Sequence, residues 1–179
     1  MEVKNKRILA WAFAVILAGF APGAYASSGP KTRATVDDRV RHELAMLPYY
    51  NVFDNLSFRV DNGVATLFGE VTRPVVKDDA VRAVKHVEGV TAVNDQIEVL
   101  PLSPFDNQIR RSAYRAIYGF PALQRYALGV VPSIHIIVKN GRVTLEGVVA
   151  NEQDKQMAFM RANSVPNVFS VENHLRIQS

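Results

Sequence analysis

The chain contains an internal duplication, and this feature limits its possible folds more than any other. Residues 60–71 read VDNGVATLFGEV and residues 138–149 read VKNGRVTLEGVV, so seven of twelve positions are identical. Unrelated sequences of average composition share about one position in a window of this size. The offset of 78 continues without a gap, so that residues 89–99 align with residues 167–177. We therefore expect two copies of one folding unit.

Each copy begins with an amphipathic helix. Val36, Val40, Leu44 and Leu47 recur at helical spacing, and Pro48 ends the pattern. In the second copy, residues 106–113 match residues 37–44 at an offset of only 69. The second copy therefore has nine extra residues between its first helix and its first strand, near 120–131.

A β-hairpin follows the first helix. Apolar and polar residues alternate over 56–60, and the alternation resumes over 65–67 after Asn62 and Gly63. Two alternating runs joined by Asn-Gly predict a type I′ turn, because both residues tolerate the positive φ that this turn requires. Asn140-Gly141 repeats the turn in the second copy.

A second helix and a third strand complete each copy. Pro74 opens the helix and Gly89 ends it. Apolar residues then alternate along the strand except at Asp95, whose counterpart in the second copy is Asn173. The order αββαβ, twice, predicts an α+β fold of two tandem two-layer sandwiches, each with both helices on one sheet face. Units of about 70 residues bury little surface alone, so we expect the two copies to be in close contact.

The N-terminus has the pattern of a secretory signal peptide. Basic residues within 1–7 precede an apolar run over 8–21 and a small-residue end at Ala24-Tyr25-Ala26. The alternative is a retained membrane anchor, which needs about 20 apolar residues, whereas Pro22-Gly23 interrupts this run early. We predict cleavage after Ala26 and export to a bacterial periplasm, since small eukaryotic secreted domains usually carry disulfides and this chain has no cysteine.

The predicted organisation follows from these patterns and consists of five segments. They are a signal peptide over 1–26, a flexible mature N-terminus over 27–35, the first repeat over 36–100, a linker over 101–104, and the second repeat over 105–179 with its insertion near 120–131.

No catalytic pattern occurs in the chain. Without cysteine it has neither a thiol nucleophile nor a zinc site built on thiolates, and it has no G-x-S-x-G, H-E-x-x-H or P-loop motif. His135, His174, Glu146 and Glu172 share the predicted sheet face away from the helices. A solvated strand face explains these four better than a weak metal site, so we predict no metal, no cofactor and no enzymatic activity.

Both copies resemble the BON domain. The resemblance rests on the segments over 65–71 and 143–149 that follow each Asn-Gly turn, together with the closing strand pattern. It implies a noncatalytic envelope module associated with phospholipid surfaces, with osmotic or envelope stress and with other envelope proteins. Within the pattern, Gly63 and Gly141 serve the turns. Gly69 and Gly147 are expected to let the strand bend or a helix approach closely.

Charge is divided unevenly between the repeats. Residues 27–102 carry 9 basic and 11 acidic side chains, whereas residues 103–179 carry 9 basic and 5 acidic ones. The second repeat therefore carries the positive charge. Its first helix and the insertion also place cations beside aromatic and aliphatic residues, as suits a surface of anionic lipid. The candidate lipid-contact residues are Arg110, Arg111, Tyr114, Arg115, Tyr118, Phe120, Leu123, Arg125 and Tyr126.

Two functions remain open at this point. The first is reversible binding to an anionic phospholipid surface through the second repeat. The second is a protein-interaction or chaperone-like module for envelope proteins, which uses a strand edge or an apolar surface. Packing also offers an alternative for the candidate residues, in which Tyr114, Tyr118, Leu123 and Val130 contact the first repeat and the arginines solvate the rim. Export makes nucleic acid an unsuitable partner.

Overall fold

A computed structural model of the chain describes residues 35–129 and 131–178. The predicted signal peptide, its cleavage site and the predicted mature N-terminus up to residue 34 lie outside the described residues. The elements are α1 (Val36–Ala45), β1 (Asn55–Asp61), β2 (Val64–Val71), α2 (Pro74–Lys85), β3 (Ala92–Val99), α3 (Pro104–Tyr118), a 3-10 helix (Pro121–Ala127), β4 (Ile134–Lys139), β5 (Arg142–Val149), α4 (Glu152–Asn163), β6 (Ser170–Asn173) and β7 (Arg176–Ile177).

Each repeat is a small sheet covered by two helices. In the first, β2 pairs antiparallel with β1 and parallel with β3. In the second, β5 pairs antiparallel with β4 and parallel with β6 and β7. One face of each sheet is buried beneath the helices, through Ala65 and Leu67 in β2 and Val143 and Leu145 in β5. The predicted α+β fold of two αββαβ sandwiches is confirmed.

The polar exceptions in the third strands act on the backbone. The Asp95 carboxylate accepts from the Ile97 amide at 2.9 Å, and the Asn173 side-chain oxygen accepts from the Leu175 amide at 3.2 Å. Side-chain bonds of this kind compete with the strand ladder. In the second repeat the strand is interrupted between β6 and β7, whereas β3 remains continuous although Asp95 forms the same kind of bond.

The glycines that follow the turns meet a neighbouring strand rather than a helix. Gly69 has φ +116 and Gly147 has φ +115. A Cβ at Gly69 would lie 2.0 Å from the Asn55 carbonyl oxygen, and one at Gly147 would lie 2.1 Å from the Ser133 carbonyl oxygen. Close approach of the neighbouring strand backbone therefore takes the place of the helix approach, which was one of our two expectations, and the strand bend stays a prediction.

The two repeats share a core through the connection between α1 and β1. Val52, which belongs to the first repeat, is buried in the core cluster of the second. Its carbonyl accepts a hydrogen bond from the Ile136 amide at 2.8 Å, so this connection lines the outer edge of β4. Lys139 forms a further link, with its Nζ 2.6 Å from a Glu98 carboxylate oxygen. The close contact predicted between the copies is present.

Candidate functional site

The helix α3 carries the cations that the sequence singled out. It begins because the Ser103 hydroxyl accepts from the Asp106 amide at 3.1 Å and because Pro104 occupies the first helical position. Arg111 and Arg115, one turn apart, both lie exposed. Within the described part of the chain, neither guanidinium lies within ion-pair distance of a carboxylate.

These two arginines frame an aromatic depression, which we term the basic–aromatic face. It measures about 260 Å³ and is lined by Phe53, Arg111, Tyr114 and Arg115. The Tyr114 ring is 39% exposed and meets the Phe53 ring edge-on, with 6.2 Å between centroids. The first repeat thus supplies one aromatic wall of the depression through Phe53. The packing alternative predicted this contact between Tyr114 and the first repeat. Part of the Tyr114 ring nevertheless remains accessible to solvent.

Three aromatic and aliphatic candidates are structural instead. Tyr118, Leu123 and Tyr126 are buried in the core of the second repeat. The Tyr118 hydroxyl donates to the Ile134 carbonyl, and burial raises the pKa of Tyr118. None of the three can contact a lipid surface while the repeat is folded. The interpretation of these residues as contacts is corrected, because the end of α3 and the insertion both pack into the core of the second repeat.

Arg110 is also buried, at 5% exposure. Its guanidinium donates to the Asn107 side-chain oxygen at 2.7 Å and to the Val138 carbonyl at 2.6 Å, and burial lowers the pKa of Arg110. Its Nε has no hydrogen-bond partner among the described residues. Arg110 therefore joins α3 to β4 and is not part of the exposed surface.

The remaining candidates lie around the insertion, away from the basic–aromatic face. Arg125 is ion-paired with Asp154, so its charge is balanced locally. Phe120 is half-buried beneath the Arg161 guanidinium, which lies 5.2 Å from the ring centroid. The structure therefore brings together Arg111, Tyr114 and Arg115 and separates them from Phe120 and Arg125.

Sequence reasoning did not predict that residues of the first repeat would line a cleft next to α3. A cleft of about 620 Å³ lies between the repeats beside the basic–aromatic face, and we term it the junction cleft. The aromatic run Tyr49-Tyr50 in the connection after α1 was the signal that could have drawn attention to it. Its lining residues are Tyr49, Tyr50, Asn51, Val52, Phe53, Thr72, Arg73, Leu102, Asn107, Arg110 and Arg111.

His135 differs from the solvated strand face that we predicted, whereas His174 agrees with it. His135 lies at the contact between the repeats, where its Nδ1 is 2.6 Å from the Asp54 carbonyl oxygen and its ring stacks on Tyr50. Burial lowers the pKa of His135. His174 is exposed, with Nδ1 2.7 Å from a Glu146 carboxylate oxygen. Over residues 35–129 and 131–178, no group of three or more acidic or histidine side chains is placed to hold a metal ion.

A second open surface lies on the first repeat alone. A groove of about 1020 Å³ runs between α1 and α2, with Met46, Leu47 and Ala83 among its lining residues. At the position of Ala83 the second repeat has Arg161, whose Nε donates to the Ala116 carbonyl of α3 at 3.0 Å. A long side chain thus bridges α3 and α4, whereas the corresponding space in the first repeat remains open.

Comparison with known proteins identifies the relatives of this chain. A family model described as the BON domain matches residues 32–101 and 126–179. Osmotically-inducible protein Y of Escherichia coli strain K12 is 30% identical over 130 residues, which cover 68% of this chain and 61% of the relative. The matched region thus spans about three fifths of that relative's length.

Two solved structures of one protein align with this chain at low scores. CdsD, a structural protein of the type III secretion system of Chlamydia trachomatis, aligns with a TM-score of 0.32 and 12% identity over 80% of this chain and 92% of the CdsD chain. A structure of the C-terminal domain of CdsD aligns with a TM-score of 0.27 and 13% identity, over 79% of this chain and 96% of that one. None of the helices described for the present chain has the length and hydropathy to cross a membrane.

Proposed function

This chain belongs to the BON domain family, and we propose that it is a noncatalytic periplasmic envelope protein whose second repeat binds anionic phospholipid surfaces. The similarity to osmotically-inducible protein Y supports a place in the osmotic or envelope stress response. The signal-peptide pattern of residues 1–26 supports export to the periplasm.

The observation that carries the lipid proposal is the composition of the basic–aromatic face. Arg111 and Arg115 project from one side of α3 without carboxylate partners in the described part of the chain, beside the accessible ring of Tyr114. Guanidinium groups can bind lipid phosphates through paired hydrogen bonds. A tyrosine ring suits the boundary between headgroups and acyl chains, since it has an apolar body and a polar end.

The expected attachment is reversible. Each cation near an anionic leaflet contributes about 1 kcal/mol, and this attraction decreases within a Debye length of roughly 8 Å at physiological ionic strength. The two arginines and two aromatic rings of this face therefore give binding that responds to salt and lipid composition. They do not give the effectively permanent insertion of a membrane-spanning helix.

Vesicle cosedimentation of residues 27–179 tests this proposal. We expect binding to vesicles of phosphatidylglycerol and phosphatidylcholine, and little binding to phosphatidylcholine alone. Raising the salt from about 50 to 500 mM is expected to release most of the bound protein, because screening shortens the range of the attraction. Equal binding to both vesicle types, or no binding to either, would contradict the proposal.

A protein-interaction function is the second candidate, and the open groove between α1 and α2 favours it. In the second repeat, Arg161 bridges the two helices and covers the Phe120 ring. The first repeat has Ala83 in place of this arginine, and no phenylalanine, tyrosine or tryptophan is among the described residues that line the groove. We therefore expect the groove to bind a segment of a client protein that supplies one aromatic and one arginine side chain. Suppression of the aggregation of an unfolded outer-membrane protein without lipid, lost in Ala83→Arg, is the expected result. Equal suppression by wild type and Ala83→Arg would exclude the groove.

A further inference from the structure

The junction cleft combines side chains from both repeats. The first repeat supplies Arg73 and Tyr49, and the second supplies Arg110 and Arg111 from α3. Its volume of about 620 Å³ lies within the range of roughly 300–1,000 Å³ that is common for small-molecule sites. The cleft exists only when the two repeats pack as they do through Val52.

The charge lining the cleft has a single sign. Three arginines are among its eleven lining residues, and none of the eleven is acidic. Within residues 35–129 and 131–178, neither Arg73 nor Arg111 lies within ion-pair distance of a carboxylate. Cations concentrated in a concave site focus the electrostatic field, so an anionic group is the ligand that the cleft favours.

Arg73 is held at the mouth of the cleft by its neighbours. Its guanidinium lies 5.6 Å from the centre of the Tyr49 ring, and its backbone forms the N-cap of α2. No side chain caps this helix, and its first turn contains no acidic residue. The positive end of the α2 dipole therefore adds to the charge of Arg73.

Arg110 adds a buried positive charge to the wall of the junction cleft. It is 95% buried, since only 5% of its surface is exposed, and its Nε has no hydrogen-bond partner among the described residues. Two buried carboxylates, Asp106 and Asp54, interact with the charge of Arg110. The Asp106 oxygens accept from the backbone amides of Asn140 and Gly141, and Asp54 is committed to the walls of the cleft. One of its oxygens accepts from the amide and the hydroxyl of Thr72, and the other accepts from the amide and the side chain of Asn51. Asp54 thus fixes the cleft without lining it.

We propose that the junction cleft binds a phosphate-bearing group between Arg73 of the first repeat and Arg111 of the second. Phosphate matches the site because a planar guanidinium can donate two parallel hydrogen bonds to its oxygens. This proposal deepens the proposed function, on which it rests for the lipid source of the phosphate. The basic–aromatic face, which shares Arg111, would then position the headgroup of a bound phospholipid over the cleft.

The test compares Arg73→Gln with Lys85→Gln. Both substitutions remove one exposed positive charge from α2 or its cap, but Lys85 lies in the last turn and does not line the cleft. The probes are sn-glycerol 3-phosphate, followed by NMR, and phosphatidylglycerol vesicles, followed by cosedimentation. We expect Arg73→Gln to weaken binding at least fivefold and Lys85→Gln to change it less than twofold. Arg73→Lys, which keeps the charge but loses the planar donor pair, is expected to fall between them.

The two probes distinguish a lipid headgroup from a soluble phosphate compound as the ligand. They also distinguish failure of the cleft proposal from failure of the proposed function. If Arg73→Gln weakens the binding of both probes, the result supports the cleft proposal with a lipid headgroup as the ligand. The same conclusion follows if glycerol phosphate does not bind the wild type and Arg73→Gln weakens vesicle binding. Weakening of glycerol phosphate binding in a protein that does not bind vesicles supports the cleft and contradicts the proposed function. If Arg73→Gln matches Lys85→Gln with every probe that binds, or if neither probe binds the wild type, the cleft proposal is overturned.

Discussion

Substituting alanine for Gly147 is expected to lower the free energy of unfolding by about 2 to 6 kcal/mol. Two costs combine at this position. A non-glycine residue at φ +115 adopts a disfavoured backbone conformation, at a cost of about 1 to 3 kcal/mol. A Cβ placed 2.1 Å from the Ser133 carbonyl oxygen must also push β4 and β5 apart, and overpacking of this kind costs about 1 to 3 kcal/mol. Such a loss is a large part of the roughly 5 to 15 kcal/mol typical of a domain.

The same substitution in the first repeat provides an internal comparison. Gly69→Ala meets the Asn55 carbonyl oxygen at 2.0 Å, so we expect a similar loss. Gly63→Ala is the matched control, because φ is also positive there but the nearest atom is the Thr91 hydroxyl at 3.1 Å. Urea unfolding followed by circular dichroism measures all three variants. If Gly69→Ala and Gly147→Ala each lower the free energy of unfolding by less than about 1 kcal/mol, the two strands can move apart at little cost and the prediction is contradicted.

Reversing the charge of Arg111 and Arg115 together is expected to abolish binding to anionic vesicles. Each reversal exchanges an attraction of about 1 kcal/mol for a repulsion of similar size, so the pair changes the binding free energy by about 4 kcal/mol. That difference corresponds to roughly a thousandfold loss of affinity. Both side chains are exposed, and the hydrogen bond that Arg115 donates to the Ser112 hydroxyl at 3.2 Å is exposed as well. Folding should therefore be nearly unaffected.

A control variant with the same change in net charge tests whether the location of these two arginines matters for vesicle binding. Lys85→Glu combined with Arg176→Glu alters two exposed cations on α2 and β7, which contribute nothing to the basic–aromatic face. We expect this variant to retain most of the vesicle binding of the wild type, as measured by cosedimentation at low salt. Equal losses in the two double variants would indicate attraction by net charge without a defined contact face.

The fold could be predicted from the sequence because its signals are local and occur twice. An Asn-Gly turn at 62–63 and again at 140–141 fixes the hairpin register, and the observed pairing of Asp61 with Val64 follows from it. Duplication then confirms each helix and strand independently. The polar exceptions at Asp95 and Asn173 were visible as breaks in the alternation, but their bonds to the backbone two residues onward became clear only from the geometry.

The candidate site could be predicted only in part, because the rest depends on contacts between distant segments. A helical arginine next to a tyrosine has the same sequence signature on the surface and in the interior. Arg110 is buried because the Val138 carbonyl, 28 residues away, accepts from its guanidinium. Phe53 joins the site because the connection after α1 crosses to the second repeat, and no local pattern indicates that crossing. Arg73 joins it because the neighbouring Thr72 donates to Asp54 of the same connection.

The most direct test of the central claim is to label the surface that meets the lipid. The chain has no cysteine, so one introduced cysteine carries an environment-sensitive fluorophore at a single position. Gln108→Cys places it on exposed α3 one turn before Arg111, and Ser57→Cys places it on exposed β1 of the first repeat as the control. With phosphatidylglycerol vesicles we expect a blue shift and increased emission at position 108 and no change at position 57. A response at position 57 alone, or at neither position while the protein cosediments, would contradict binding through α3.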